Sequence, residues 1–219
     1  MIAVITADFI DSSNYSEDLL GRVIAALKTE FKEVEKNSGN KSNNFKLYRG
    51  DSFQGIITNP EDALLTALQL KTAVVAIVTK DKGKIREADL KMAIGSGTKD
   101  FEGASIEESN GQAFQFSGRS LDFMKNEFRK TRLKTPNENI NGEFDASFYL
   151  MDTITERWGP ASAEVVYYLL KGWKESKIAE EIGISQSAVN QRKKAAGWDA
   201  IKALLDRYKD IIAKTFPNE

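Results

Sequence analysis

Residues 175–194 read ESKIAEEIGISQSAVNQRKK, and their pattern decides the architecture of the second half of the chain. Ile178 and Ile182 are four residues apart, which places them on one face of a helix. Ala179 beside them is small enough for a second helix to cross closely. Gly183 follows where the first helix must end, because glycine adopts the left-handed conformation of a helix C-terminus at the lowest cost. The pattern predicts two short helices joined by a tight turn.

The second of these predicted helices has one apolar face and one polar face. Ser185 is suited to be its N-cap, while Ala188 and Val189 face inward. Amides and hydroxyls can hydrogen-bond to base edges, and lysine side chains suit phosphates. This is the pattern of a helix-turn-helix, whose second helix enters the major groove of DNA. The predicted DNA-contacting residues are Ser185, Gln186, Ser187, Asn190, Gln191, Lys193 and Lys194.

All twenty positions of the segment resemble the helix-turn-helix of repressors and sigma factors. The resemblance implies DNA as a partner. One alternative stays open at this point, because two short amphipathic helices around a glycine turn also occur in proteins that do not bind DNA. The protein would then be an interaction scaffold, and the polar face of the second helix would be incidental.

The composition limits the possible functions of the chain. Its 219 residues, 41% apolar, suffice for one or two domains with a sizeable core. The net charge of −1 means that affinity for DNA must come from a local patch of positive charge. The absence of Cys and His excludes disulfides, thiolate metal sites and histidine general bases. No leader pattern opens the sequence, so we expect a cytoplasmic protein without a membrane partner.

The first 140 residues predict an α+β fold with the order β-α-β-β-α-β. Residues 2–10 (IAVITADFI) are nearly continuously apolar, as in a strand that is buried on both faces. Gly50 and Asp51 join two further strands as a hairpin. This order is typical of a ferredoxin-like sandwich. The other predicted segments are a loop at 37–44, strands at 45–49, 53–58, 90–95 and 132–135, a turn at 81–84, and helices from about 16, from 60 and over 116–129.

A linker is expected at residues 134–142 (KTPNENING), which divides the chain into domains at 1–140 and 141–219. Beyond it the pattern is helical. The last helix carries an apolar stripe that includes Ile201, Leu204, Tyr208 and Ile211, which we expect to offer a surface for dimerisation.

Two carboxylates are predicted to converge at one end of the sheet. In a β-α-β-β-α-β core the first strand lies beside the third, so Asp8 at the end of strand one approaches Asp51 in the hairpin. Close carboxylates repel one another unless a cation lies between them, and Mg²⁺ prefers such oxygen ligands. The pair therefore predicts a metal site of the kind that phosphoryl transfer uses. In the alternative, which stays open, the two aspartates only cap and turn the chain.

Four segments of the first domain resemble class III nucleotide cyclases: VITADFIDSS, RGDSFQGII, AIGSGTKDFEG and GQAFQFSGRSL. The resemblance implies that Asp8 and Asp51 bind metal and that Arg119 binds nucleotide. It also places Gln115 where the family has Asn, and Gln112 where an acidic residue reads the purine. Leu47 replaces the usual base-contacting Lys, with Lys46 next to it but out of register. The resemblance therefore implies a nucleotide site made of Arg119, Gln112, Gln115 and Lys46.

The whole chain resembles the SatD family of bacterial proteins, in which a cyclase-like domain precedes WGPASAEVVYYLL and SQSAVNQRKKAAGW. We therefore expect a DNA-binding regulator of transcription, a homodimer whose cyclase-like domain dimerises or senses a nucleotide with Mg²⁺. The rival expectation is an active metal-dependent nucleotidyl cyclase fused to a DNA-binding domain. The retained Asp8, Asp51 and Arg119 favour the enzyme. The changed positions Leu47, Gln112 and Gln115 favour the regulator.

Overall fold

A computed structural model describes residues 1–37, 45–48, 50–81, 84–101, 103 and 106–216. The predicted loop after position 37 and the centre of the predicted turn at 81–84 lie outside these residues. The strands are β1 (Ile2–Phe9), β2 (Phe45–Tyr48), β3 (Ser52–Ile57), β4 (Thr79–Asp81), β5 (Lys84–Arg86), β6 (Leu90–Gly97) and β7 (Thr131–Lys134). The helices are α1 (Glu17–Asn37), α2 (Ala63–Val75), α3 (Gln112–Met124), α4 (Glu138–Thr155), α5 (Pro160–Leu170), α6 (Glu175–Ile182), α7 (Gln186–Ala195) and α8 (Trp198–Thr215).

Five strands form one mixed sheet in the order β2-β3-β1-β6-β7. Each of the first four is antiparallel to its neighbours, and together they reproduce the predicted β-α-β-β-α-β order, with β6 as its fourth strand. Strand β7 extends the sheet by pairing parallel to β6, with α3 as the crossover. A separate hairpin of β4 and β5, which the sequence pattern did not predict, lies between α2 and β6. The chain is a mixed α/β protein.

Helices cover the two faces of the sheet unequally. The side chains of Ala3, Ile5 and Ala7 point to the face under α1 and α2 and are fully buried. The opposite face is covered by α3 over β6, β7 and part of β1. Helix α3 begins four residues earlier and ends five residues earlier than the predicted helix at 116–129. Because it lies over only part of the sheet, the face of β2 and β3 on that side keeps partly accessible side chains.

The expectation of a linker at residues 134–142 is wrong. Strand β7 ends at Lys134 and α4 begins at Glu138. Asn137 is the N-cap of α4, because its side chain accepts hydrogen bonds from the backbone N–H groups of Asn139 and Ile140. Asn141 accepts a hydrogen bond from the backbone N–H of Thr135 over 2.7 Å, and both side chains are buried. The polar residues that suggested a loop are used to join a strand tightly to a helix.

The second half of the chain shares one hydrophobic core with the first half. Phe144 of α4 and Tyr208 of α8 belong to the same buried cluster as Ile5 of β1. The Tyr208 hydroxyl donates a hydrogen bond to the carbonyl of Pro60 over 3.1 Å. The apolar stripe of α8 is therefore internal: Ile201 and Tyr208 are buried, and Leu204 and Ile211 pack against the core. The expectation that this stripe offers a dimerisation surface is wrong.

A polar contact also holds α5 against α1. Glu30 is almost fully buried and accepts a hydrogen bond of 2.6 Å from the hydroxyl of Tyr167. The Lys171 ammonium lies 3.2 Å from the same carboxylate and also pairs with Glu33. Buried carboxylates require such partners. Helix α5 thus fixes the start of α6 relative to the first half of the chain.

Candidate functional site

Helices α6 and α7, called the helix pair below, have the predicted turn and caps. Gly183 adopts the left-handed conformation with φ 68° and ψ 35°. The Ser185 side chain accepts a hydrogen bond from the backbone N–H of Ala188 over 3.2 Å. Ile178 and Val189 are fully buried in a separate cluster that includes Ala179 and side chains of α5. The helix pair is therefore a packed unit that sits on α5.

Most of the predicted DNA-contacting side chains on the helix pair are exposed. These exposed residues are Ser185, Gln186, Ser187, Gln191 and Lys194. Asn190 and Lys193 are only partly exposed because both contact Glu175 at the start of α6. The Lys193 ammonium lies 3.0 Å from Oε1 of Glu175, and the Asn190 amide donates to Oε2 over 3.4 Å. The hydrogen bond from Lys193 is the main reason that the pKa of Glu175 is lowered.

Sequence reasoning assigned no role to Glu175. The contacts above show that it holds two of the seven predicted DNA-contacting side chains in one position. The sequence shows an acidic residue three positions before Ile178. Its contact with α7 could not be predicted, because it depends on how the two helices cross.

Asp8 and Asp51 lie at the same end of the sheet, as predicted. Asp8 is opposite Ser52 in the β1–β3 register, and the backbone N–H of Phe9 donates to the carbonyl of Asp51 over 2.8 Å. Burial is the main cause that raises the pKa of the Asp8 carboxyl above its ordinary value. The charges of Asp51 and Asp122 add to this rise, while Lys125 and Lys91 oppose it. Asp8 is thus a half-buried carboxylate with another carboxylate nearby.

Asp8 and Asp51 suit Mg²⁺ only if a bound nucleotide supplies further ligands to the ion. Among the residues that the structure describes, no group of three or more acidic side chains is close enough to hold a metal ion. Mg²⁺ commonly binds through one or two carboxylates together with substrate phosphates and water. Asp8 and Asp51 would hold such an ion, and the ion would neutralise phosphate charge when bound.

The open face of the sheet continues this site toward β2. Thr6 donates a hydrogen bond to Ser117 of α3 over 2.9 Å and accepts one from Gln54 over 3.1 Å. Lys46 is opposite Gln54 in the β2–β3 register and therefore lies on the same face. One of the four predicted nucleotide-binding residues, Lys46, is thus on the face that carries Asp8.

The other three predicted nucleotide-binding residues lie on α3. Gln112 begins this helix beside Gly97, whereas Asp8 is near the far end of the helix, roughly 20 Å away at 1.5 Å per residue. Gln115 and Arg119 are exposed, and Arg119 lines a groove between α3, β7 and α4. Of the three, Gln112 is therefore the one remote from the carboxylate pair, while Arg119 lies about two turns closer to it along α3.

A polar cavity of about 610 Å³ lies beside the same end of β1. Asp89 and Lys130 line it, and Asp89 forms an ion pair with the fully buried Lys71. The Lys130 ammonium lies 2.9 Å from the other oxygen of Asp89. Burial would raise the pKa of Asp89, but the two ammonium groups outweigh it and hold that pKa below its ordinary value. Sequence reasoning missed this cluster, although a lysine within the apolar stripe of α2 was its signal.

The fold is that of a mixed α/β protein with a five-stranded sheet. One solved structure that resembles the chain is the GGDEF domain of FimX from Pseudomonas aeruginosa. The TM-score is 0.43 and the sequence identity 12%, over 61% of this chain and 80% of that domain. No protein-family model and no curated protein matches the chain. In the described part of the chain, no helix is both long and apolar enough to cross a bilayer.

Proposed function

We propose that the protein is a DNA-binding regulator of bacterial transcription and that the helix pair is its helix-turn-helix. The observation that carries the proposal is the exposed polar face of α7, with the amides of Gln186 and Gln191 and the ammonium of Lys194. The residues beneath this face form their own small core. A helix supported in this way can present its polar side chains to the major groove.

Two copies of the protein bind DNA together in this proposal. One helix-turn-helix makes few phosphate contacts, and a pair of linked readers multiplies affinity. Large apolar side chains that are exposed offer a surface for pairing near the end of α3 and on α4. They are Phe123, Phe128, Tyr149 and Leu150, and Phe128 is 95% exposed. In this proposal the cyclase-like half supplies dimerisation together with α4 of the second half.

The face of α7 is tested by two substitutions with different expected signatures. Asn190→Ala should lose about 1–3 kcal/mol on the preferred DNA sequence and little on other sequences, because amides read base edges. Lys194→Ala should weaken binding to all sequences alike and flatten the salt dependence, because it contacts phosphate. Lys28→Ala, an exposed lysine on α1, is the matched control. Equal binding by all four proteins in a fluorescence anisotropy titration would show that another surface contacts DNA.

Glu175 should limit the affinity of the helix pair for DNA. Glu175→Gln removes a negative charge next to Lys193 and frees that ammonium for a phosphate. We expect tighter binding to any duplex and a salt dependence steeper by about one ion, since each phosphate contact contributes about 0.9 to the slope. Glu180→Gln, on the exposed side of the same helix, controls for net charge. An unchanged slope for Glu175→Gln would mean that Lys193 does not contact phosphate.

A second candidate function is nucleotide binding at the carboxylate pair, which the position of Asp8 and Asp51 at one end of the sheet favours. The nucleotide would act either as a signal for the regulator or as the substrate of a cyclase. Incubation with each nucleoside triphosphate and Mg²⁺ or Mn²⁺ distinguishes the two, because only an enzyme yields a cyclic or linked product.

Calorimetric titration tests whether nucleotide binding depends on Mg²⁺ at this pair. Asp51→Asn keeps the shape of the side chain but removes its charge, so Mg²⁺-dependent affinity should fall by about tenfold or more. Asp11→Asn is the matched control, because Asp11 is exposed and Asn also tolerates its left-handed conformation. If no nucleotide binds the parent protein at millimolar concentration, the first half of the chain is a dimerisation scaffold.

A further inference from the structure

A second cavity, of about 280 Å³, lies between α2, α5 and α8. Its volume is just below the usual range for ligand pockets, about 300–1,000 Å³, so it suits a molecule with a single ring. Neither the carboxylate pair nor the exposed face of α7 takes part in it. Its apolar wall consists of Leu65, Leu169, Leu170, Leu205 and the partly buried ring of Trp198.

Two of the three acidic side chains in the wall of this cavity form ion pairs with described lysines, and the third does not. Asp62 pairs with Lys209 at 3.2 Å, and Asp206 pairs with Lys202 at 2.6 Å. The remaining acidic residue in the wall is Glu61. Its Oε2 atom is buried and has no hydrogen-bond partner among the described residues. Because Glu61 lines the cavity and forms no ion pair with the described residues, a cationic ligand in the cavity would supply the partner that its carboxylate lacks.

These features select one class of ligand. An apolar ring would replace water against the leucine side chains, and the face of Trp198 can stack on such a ring or attract a cation. A single ammonium group would supply the hydrogen-bond donor and the positive charge that Glu61 lacks. We propose that this cavity binds a small aromatic amine, with its ring against Trp198 and its ammonium group at Glu61.

The cavity touches the chain on both sides of the helix pair. Leu170 ends α5, and Gly172 follows it shortly before α6 begins. Trp198 begins α8 and follows the end of α7 after two residues, Ala196 and Gly197. An amine here therefore contacts both connections of the helix pair. This regulatory part rests on the proposed function, and the amine changes DNA affinity only to the extent that it binds the DNA-bound and free states differently.

Calorimetric titration of the full chain with phenethylamine tests the binding site without DNA. The matched probes are 2-phenylethanol and 3-phenylpropanoate, which carry the same ring without charge and with the opposite charge. We expect the amine to bind about tenfold or more tightly than either probe, because its hydrogen bond to Glu61 is charge-assisted. Equal affinities for the three probes, or no binding of the amine at millimolar concentration, would overturn the proposal.

Two substitutions locate the amine within the cavity. Glu61→Gln should reduce the affinity for phenethylamine by about tenfold and leave that for 2-phenylethanol unchanged. Glu17→Gln, an exposed carboxylate on α1, should change neither affinity. Leu65→Phe should fill the cavity and abolish binding of both probes. Full affinity of Glu61→Gln for the amine would overturn the assignment of the ammonium group to Glu61.

The calorimetric titration and a DNA-binding measurement test the cavity and the proposed function separately. A chain that binds the amine but no DNA supports the cavity and contradicts the proposed function. A chain that binds DNA but no amine contradicts the cavity alone. If both bind, DNA affinity is measured with and without saturating phenethylamine; a change that Glu61→Gln weakens supports regulation, and an unchanged affinity overturns the regulatory part.

Discussion

Replacing Asp89 with Asn is expected to destabilise the protein by about 3 kcal/mol at neutral pH. The reason is that the fully buried ammonium of Lys71 loses its counter-ion, and removing one partner of a buried pair typically costs about 3–5 kcal/mol. The lower end of that range applies because the Asp89 side chain is 23% exposed. Urea unfolding of the parent and the variant measures the difference.

A double substitution separates the ion pair from other roles of Asp89. Lys71→Met with Asp89→Asn removes both charges, so it should recover part of the lost stability. Asp122→Asn breaks the exposed pair with Lys125 and should change stability little. A single Asp89→Asn variant as stable as the parent would contradict the account of this cluster.

The contribution of Asp89 should also depend on pH. Because its folded-state pKa is depressed, its stabilisation is fully present above the ordinary aspartate pKa of about 3.9. It is lost as the pH falls below that value through the folded-state pKa. The stability difference between the parent and Asp89→Asn should therefore shrink in acid. A difference that stays constant from pH 7 to about pH 2 would contradict this linkage.

Replacing Gly95 with Ala is expected to cost about 3 kcal/mol or more, at the upper end of the usual range for overpacking. A Cβ at this position would collide with the carbonyl oxygen of Ala113 and would lie 2.5 Å from the backbone nitrogen of Ser117. Both atoms belong to the backbone of α3, so the whole helix would have to move. Gly95 is one of two glycines of β6, with Gly97, that let α3 approach the sheet.

Gly118→Ala on α3 is the matched control for this substitution. Its Cβ would meet no atom within 4 Å, and Ala is favoured over Gly inside a helix by about 1 kcal/mol. We therefore expect the two Gly-to-Ala variants to change the free energy of unfolding in opposite directions. If neither variant is less stable than the parent, α3 does not pack closely on β6.

The elements that could be predicted are those whose signal is local. Gly183 and Ser185 predicted the turn and the N-cap of the helix pair. Both residues have the backbone conformation that these roles require. The apolar run of β1 likewise indicates a central strand. The order of strands followed from these elements and from the rules of connection.

The predictions that were wrong or missing concern features that depend on contacts with residues distant in sequence. The apolar stripe of α8 showed that Tyr208 would be covered, but the pattern cannot say whether the same chain or another copy covers it. Polar residues such as Asn137 suit a loop and a helix cap equally. Lys71 in an apolar stripe needs a partner, and Asp89 is eighteen residues away, in the loop before β6.

The candidate site shows the same division. Convergence of Asp8 and Asp51 followed from the topology of the sheet, and their placement at one end agrees with it. The nucleotide-binding roles of Gln112, Gln115 and Arg119 came from a resemblance and stay predictions. In one copy these residues lie along α3, with Gln112 at the end of the helix that is remote from Asp8.

The central claim, that the helix pair binds DNA as part of a dimer, is tested most directly by repeated selection of the full chain against random duplex DNA at low salt. The account predicts enrichment of one sequence arranged as an inverted repeat, with half-sites about one helical turn (10–10.5 base pairs) apart or a multiple of that distance. Retention of DNA that does not exceed that of the empty support, with no enriched sequence, would contradict it.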